Sequence, residues 1–392
     1  PALRSPPLPR SPNGRGAGAR GLPMAVAAVV PLHTGAGRTS SAASTASAAS
    51  LPFRFLALPL LLAAAVLLLE GCSEDGPSVE NEITTPKVTT EAPTTSSGTV
   101  FADRAGSFLV IGDWGWDAEV HGEIKSTACQ QAIADAMHKS MEYLGDVKFV
   151  INVGDSFYPD GVANKSDPQW ETKWRQIYSE TLRSVPWYSV YGNHDLHHDP
   201  CICTDDIAEC AQVNPDTSNL DYFFMPNTSY FVEHADLGLE VIALDMNDLW
   251  ASHTCMWTPC PEKCAANLKN RTKAAFDFFY ERVAESEAEN LLVFSHYPTD
   301  YFWGFPQFLD ELRNASSHHI EYFGGHRHNV DQRSTTSTSP NNNWLVGGGG
   351  GWGCEGYGEE QGFVVGEIGT DGNVTTYPVL VDFDICCTHK KE

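Results

Sequence analysis

Residues 147–158 read VKFVINVGDSFY, and this stretch decides the fold. Val147, Phe149, Val150, Ile151 and Val153 make a short run rich in β-branched and aromatic side chains, as in a strand buried in a sheet. Gly154 then lets the chain turn sharply, and Asp155 is a residue that strands avoid. The same arrangement recurs on both sides. FLVI (108–111) runs into Gly112-Asp113-Trp114-Gly115, and PWYSVY (186–191) into Gly192-Asn193-His194-Asp195. LLVF (291–294) runs into Ser295-His296-Tyr297-Pro298, and IEYF (320–323) leads to Gly325-His326-Arg327-His328-Asn329. VIAL (241–244) is a further strand. Between these runs, residues 123–144 carry Ile133, Met137 and Met141 at helical spacing, and 168–183 (Pro168 near the start) and about 265–285 also read as helices. Strands alternating with helices specify an α/β fold with buried sheets. The Gly-rich run 347–351 reads as a loop, since no helix opening in Gly-Lys-Ser/Thr comes after it.

The chemistry lies in the residues just past each strand. Sites in α/β sheets assemble at strand carboxyl ends. Here five such ends deliver Asp, Asp, Asn, His and a His pair, which are oxygen and imidazole donors suited to iron, zinc or manganese. Taken singly, a Gly-Asp pair is a turn and a lone histidine is a core residue; all five in this order form a pattern. If the chain is extended there, His326 and His328 project to the same side.

Composition narrows the partners. The 392 residues carry a formal net charge of −25. The excess of acid falls after residue 100, so that surface repels DNA, RNA and anionic lipid headgroups, which need a basic footprint. Small anions remain possible substrates if the site itself is strongly positive. Of eleven cysteines, ten lie from Cys129 onward, clustered as Cys201/Cys203/Cys210, Cys255/Cys260/Cys264 and Cys386/Cys387. This is not the spacing of a zinc finger and reads as loop disulfides in an oxidising compartment, with connectivity left open. Glycosylation sequons start at Asn164, Asn227, Asn270, Asn314 and Asn373, in keeping with secretion.

The N-terminal part is organised differently. The first methionine is Met24, so residues 1–23 are read as outside the natural coding sequence, or the chain as a fragment. Residues 1–54 form a disordered leader. The segment 55–73 holds the apolar run FLALPLLLAAAVLLL, the core of a signal peptide or else a signal anchor. Residues 74–100 form a Thr/Ser/Pro-rich linker, and 101–392 the catalytic domain.

GDWG, GDSFY, VPWYSVYGNHD, SHYP and GHRHN together resemble the calcineurin-like metallophosphoesterases. Within them they resemble the purple acid phosphatases of the small, tartrate-resistant type, over residues 101 to about 385. Tyr158, three residues past Asp155, is the mark of that subfamily. The resemblance implies a four-layer α/β/β/α sandwich of two packed mixed sheets flanked by helices. It implies that Asp113, Tyr158 and His328 bind a ferric ion, that Asn193, His296 and His326 bind a divalent iron, zinc or manganese ion, and that Asp155 bridges the two. A phenol with an ordinary pKa of about 10 ionises on a ferric ion. A metal-bound hydroxide would then attack a phosphate monoester at acidic pH, with Asn193 and His194 facing the substrate and His194 assisting the leaving oxygen. Substrates would be small phosphate esters, with phosphoproteins or nucleotides as further candidates. The product would be secreted or held in a vacuolar or lysosomal lumen, or membrane-anchored by residues 55–69.

One departure stands out. The family's further histidine in the loop after the His-Tyr-Pro motif is missing from 299–317, so leaving-group protonation rests on His194, or on His197 or His198. Arg327 is read as a surface charge or a substrate contact. The alternatives are a phosphodiesterase or nucleotidase on the same two-metal core, a non-catalytic glycoprotein that binds phosphorylated ligands, and a stalked scaffold.

Overall fold

Along Arg104–Ile111 (β1), Phe108 and Val110 enter one apolar core while Leu109 and Ile111 enter another. That two-residue alternation, repeated on other strands, builds the layers. The computed structural model describes residues 103–115, 126–198, 207–216, 218–256, 258–332, 342–350 and 360–386. The leader, the apolar segment and the linker assigned to 1–100 lie outside them. Among the described residues, no helix is long and apolar enough to cross a membrane.

The first sheet contains β1, Val147–Asn152 (β2), Trp187–Ser189 (β3), Gly362–Gly369 (β10) and Val374–Leu380 (β11) in the order β11-β10-β1-β2-β3. The pairs β1–β2 and β2–β3 are parallel, and β10 runs antiparallel to β1 and β11. The second sheet contains Tyr230–His234 (β4), Leu239–Ala243 (β5), Asn290–Phe294 (β6), His319–Gly324 (β7), Val330–Asp331 (β8) and Asn342–Val346 (β9) in the order β4-β5-β6-β7-β9-β8. Its β5, β6, β7 and β9 are parallel.

Phe108, Phe149 and Ile151 from the first sheet meet Val241, Leu292, Phe294 and Phe323 from the second in a shared core. Helix Ser126–Leu144 (α1) covers the outer face of the first sheet with Cys129, Ile133, Met137 and Met141, one per turn. Helices Pro261–Glu285 (α2) and Pro306–Asn314 (α3) cover the second with Ala275, Phe279, Val283, Phe308 and Leu312. Each large side chain buried in these layers contributes roughly 1.5–3 kcal/mol. The result is two mixed sheets packed face to face with helices outside, as expected.

Disulfides join Cys129 to Cys386 and Cys255 to Cys264. The long helix expected over 168–183 is absent. A wide-turned segment, Trp170–Arg175, and a short 3-10 turn, Leu182–Ser184, stand there instead. Trp170, Trp174 and Tyr178 all enter the buried aromatic cluster around Trp114. A four-residue spacing overshoots an α-helical turn by about 40° each time, and a wider turn cancels that drift.

Candidate metal centre

The two central parallel sets end on the same edge of the sandwich. Asp113 follows β1, Asp155 follows β2, Asn193 follows β3, His296 follows β6, and His326 and His328 follow β7. Among the described residues, the non-glycine positions with positive φ are Asp113 (55°), Asp155 (49°), His326 (70°) and His328 (51°). A left-handed backbone at such residues costs about 1–2 kcal/mol each, and strain of this kind gathers at functional sites. The histidine pair is therefore not extended, so the condition under which both would project to the same side is not met. His326 and His328 instead reach two different groups of donors.

Those groups are Asp155, His296 and His326, and Asp113, Asp155 and His328. Within each, one donor atom per residue lies within 4.8 Å of the others, and Asp155 belongs to both. Asn193 joins the first group, its Oδ1 lying 3.1 Å from His296 Nε2. Tyr158 joins the second, its hydroxyl donating to Asp113 Oδ1 at 3.2 Å and Asp155 Oδ2 at 3.0 Å. The structure thus brings together Asp113, Asp155, Tyr158, Asn193, His296, His326 and His328.

The donor set fits a pair of cations. His296 donates its Nδ1–H to the Val153 carbonyl at 3.0 Å, which leaves Nε2 as a lone pair in the neutral ring. That nitrogen faces Asn193 Oδ1, His326 Nδ1 at 3.2 Å and Asp155 Oδ2 at 3.4 Å. Acceptors converging in a buried space are stable only around positive charge. Burial alone would lower the His296 pKa, but Asp155 and Asp113 override it and raise it to about 9, so without a cation Nε2 carries a proton, and a bound metal ion would take that proton's place. Burial raises Asp113 well above the carboxylate range. Burial, then the two carboxylates, push the Tyr158 phenol well above its ordinary value, so only a highly charged ion would displace its proton. Burial lowers His328 to about 4 and His326 well below its usual value, so both are neutral and able to ligate.

Neighbours lock the strand-end loops. Asp195 accepts from the backbone N–H groups of Ser156 (2.9 Å), Phe157 (3.1 Å) and Gly192 (3.0 Å), tying the loop after β2 to that after β3. Lys173 donates to the carbonyls of Gly115 and Tyr158, each at 2.8 Å, joining the loops after β1 and β2. A Cβ on Gly192 would overlap Asp155 Oδ1, and one on Gly325 would overlap Asp113 Oδ2. The Gly-rich run is a loop, but one packed on the site: a Cβ at Gly347 would crowd Asp113 Oδ2. Sequence reasoning missed that role, as it missed Lys173. Only the bulk that glycine lacks could have signalled the former.

His194 is half-buried. Its N–H donates to Asp155 Oδ1 at 2.9 Å and its Nδ1–H to the Pro159 carbonyl at 2.7 Å. Burial lowers its pKa. His197 is held by Asp160 Oδ1 at 3.0 Å, its ring 5.3 Å from that of His194, while His198 is exposed. Arg327 pairs with Asp300. The Cys-rich segment 201–206 lies outside the described residues. Of the sequon residues, Asn164, Asn270, Asn314 and Asn373 are exposed and Asn227 is half-buried.

Comparison with known proteins gives relatives and a family. Purple acid phosphatase 7 of Arabidopsis thaliana is 43% identical over 94 residues, 24% of this chain and 26% of that protein. Purple acid phosphatase 3 of the same plant is 38% identical over 107 residues, covering 27% and 25%. Human tartrate-resistant acid phosphatase type 5 is 35% identical over 91 residues, covering 22% and 26%. Each alignment thus spans about a quarter of the relative's length. The family model described as calcineurin-like phosphoesterase matches residues 106–330, which contain all seven candidate ligands. With that match over more than half of its length, the chain belongs to the calcineurin-like phosphoesterase family.

Proposed function

We propose that this chain hydrolyses phosphate monoesters at acidic pH around a pair of metal ions, one ferric and one divalent (iron, zinc or manganese). The observation that carries this reading is Asp155, shared between two donor groups, one of which includes the Tyr158 phenol. Asp113, Tyr158 and His328 would hold the ferric ion, Asn193, His296 and His326 the divalent ion, with Asp155 between them. Bound there, the ions supply Lewis-acid charge to a phosphate group and make water acidic enough to serve as a nucleophile at low pH. The protein's own share is positioning. Asp195 and Lys173 fix the loops, and the Val153 carbonyl fixes the ring orientation of His296. His194, held at Nδ1 by Pro159, presents Nε2 to the substrate and delivers a proton to the leaving oxygen.

The disulfides and the exposed sequon residues support a secreted, N-glycosylated protein. The test is metal analysis combined with turnover of a chromogenic phosphate monoester at about pH 5, before and after chelation. Iron with a second metal, and activity lost and regained with metal, support the proposal. A metal-free protein that hydrolyses the ester equally well overturns it.

A further inference from the structure

β5 runs parallel beside β6 and ends on the same edge of the sandwich, yet Asp245, which follows it, belongs to neither donor group. Asp245 and Asn247 are both fully buried there. Asp245 Oδ1 accepts from the Asn247 backbone N–H at 3.2 Å and from its Nδ2–H at 2.7 Å. Behind them, on α2, Arg271 lies 3.6 Å from Asp245 Oδ2, and the Thr272 hydroxyl donates to the Asp245 carbonyl at 3.2 Å. Asn247 Nδ2 also donates to the Tyr191 carbonyl at 3.0 Å. With a carboxylate and a carbonyl both on the Nδ2 side, the amide has one orientation, and its Oδ1 accepts from the Tyr297 hydroxyl at 3.1 Å. Both ends of that amide lead to donors. Tyr191 lies two residues before Asn193, in the loop after β3. Tyr297 follows His296, and its ring packs against those of His296 at 5.1 Å and His326 at 5.0 Å. The Tyr297 carbonyl is held separately by the Tyr322 hydroxyl at 2.7 Å, so Asn247 fixes the far end of the ring.

We infer that Asn247 is a positioning residue that sets the spacing of Asn193, His296 and His326, and with it the affinity of their group for a divalent ion. This rests on the two-metal reading above. The three donors come from different loops, after β3, β6 and β7, and Asn247 reaches all of them through Tyr191 and Tyr297. A buried amide with its bonds made on both sides cannot shift without breaking one of them. An apolar side chain of equal size would fill the same space at less desolvation cost but would hold neither loop. The donors of the other group are braced elsewhere. Lys173 holds the Tyr158 carbonyl at 2.8 Å, and Gly347 packs on Asp113. Asn247 therefore acts on one site of the pair.

The test uses full-length, metal-loaded protein and the variants Asn247→Ala and Tyr297→Phe, the second of which removes a single oxygen. Each protein is dialysed against graded free zinc, and bound zinc and bound iron are counted beside the visible absorption. Asn247→Ala should raise the zinc concentration for half-occupancy by about tenfold or more, the scale for groups that orient metal ligands. Tyr297→Phe should shift it in the same direction. Bound iron and the visible band should stay at wild-type values in both, which a general loosening of the fold would not allow. Zinc and iron lost together, or an unchanged zinc midpoint, overturns the inference. If Asn247→Ala fails to fold, Tyr297→Phe decides alone. If neither folds, Asn247 is a folding residue and the inference is overturned. A wild type that takes up no zinc overturns the two-metal reading and this inference with it. Wild-type uptake that the variants leave unchanged overturns this inference alone.

Discussion

The Tyr158 hydroxyl donates to Asp155 Oδ2 across 3.0 Å, from a position three residues further along the same loop. A phenol with an ordinary pKa of about 10, buried against two carboxylates and pushed higher still, gives up its proton only to a strong Lewis acid. Tyr158→Phe should therefore keep the fold but lose the visible phenolate-to-iron absorption of the iron-loaded protein. Absorption spectra of both proteins at equal iron content check this. An unchanged band would remove Tyr158 from the ferric site.

Asn193 and His194 are adjacent but should fail differently. Asn193→Ala should lose the divalent ion first and be partly rescued by added metal. His194→Ala should keep both ions and lower kcat by about 10²–10⁴-fold, with the larger loss on alkyl phosphates, whose leaving groups need a proton. Metal content and kcat on an alkyl and a nitrophenyl ester separate the two. Wild-type rates for His194→Ala on both would move the acid to His197 or His198.

Gly192→Ala tests the close approach of backbone to the carboxylate shared by the two donor groups. The new Cβ would overlap Asp155 Oδ1, the acceptor of the His194 N–H. Loss of metal should exceed loss of thermal stability, and the two are measured together by metal analysis and a melting curve. A variant that binds both ions as wild type does would show that the loop can yield.

His234 makes stability depend on pH. It is 7% exposed, bonded to the Tyr188 hydroxyl at 3.1 Å and stacked on Phe149 at 4.7 Å. Burial lowers its pKa from an ordinary 6.5 to about 4. The unfolded chain therefore binds a proton that the folded chain refuses, and stability falls as pH drops from 6.5 to about 4 and levels off below. Each unit is worth about 1.4 kcal/mol, so the total is about 3 kcal/mol. His234→Gln should flatten the urea midpoint across that window relative to wild type. Parallel pH profiles would show that His234 does not titrate there.

The sequence determined the layers and the identity of the donors. Apolar runs such as LLVF and FLVI, each closed by small or polar residues, fixed where buried strands end, because burial and turn formation are local consequences of side-chain type. It did not reveal β10 and β11, since GFVVGEIG carries glycines at both ends and in its middle and VTTYPVL is half exposed and contains Pro378. Those strands are fixed by pairing with β1 and with each other, a long-range fact. The tertiary structure also decided the roles of similar residues. Asp155 and Asp195 each come after a strand and a glycine turn, yet Asp155 is grouped with three imidazoles while Asp195 turns inward to three backbone N–H groups. His326 and His328 are two residues apart and enter different donor groups. Composition cannot make such choices, because they depend on where left-handed backbone and packed glycines aim each side chain once both sheets are in place.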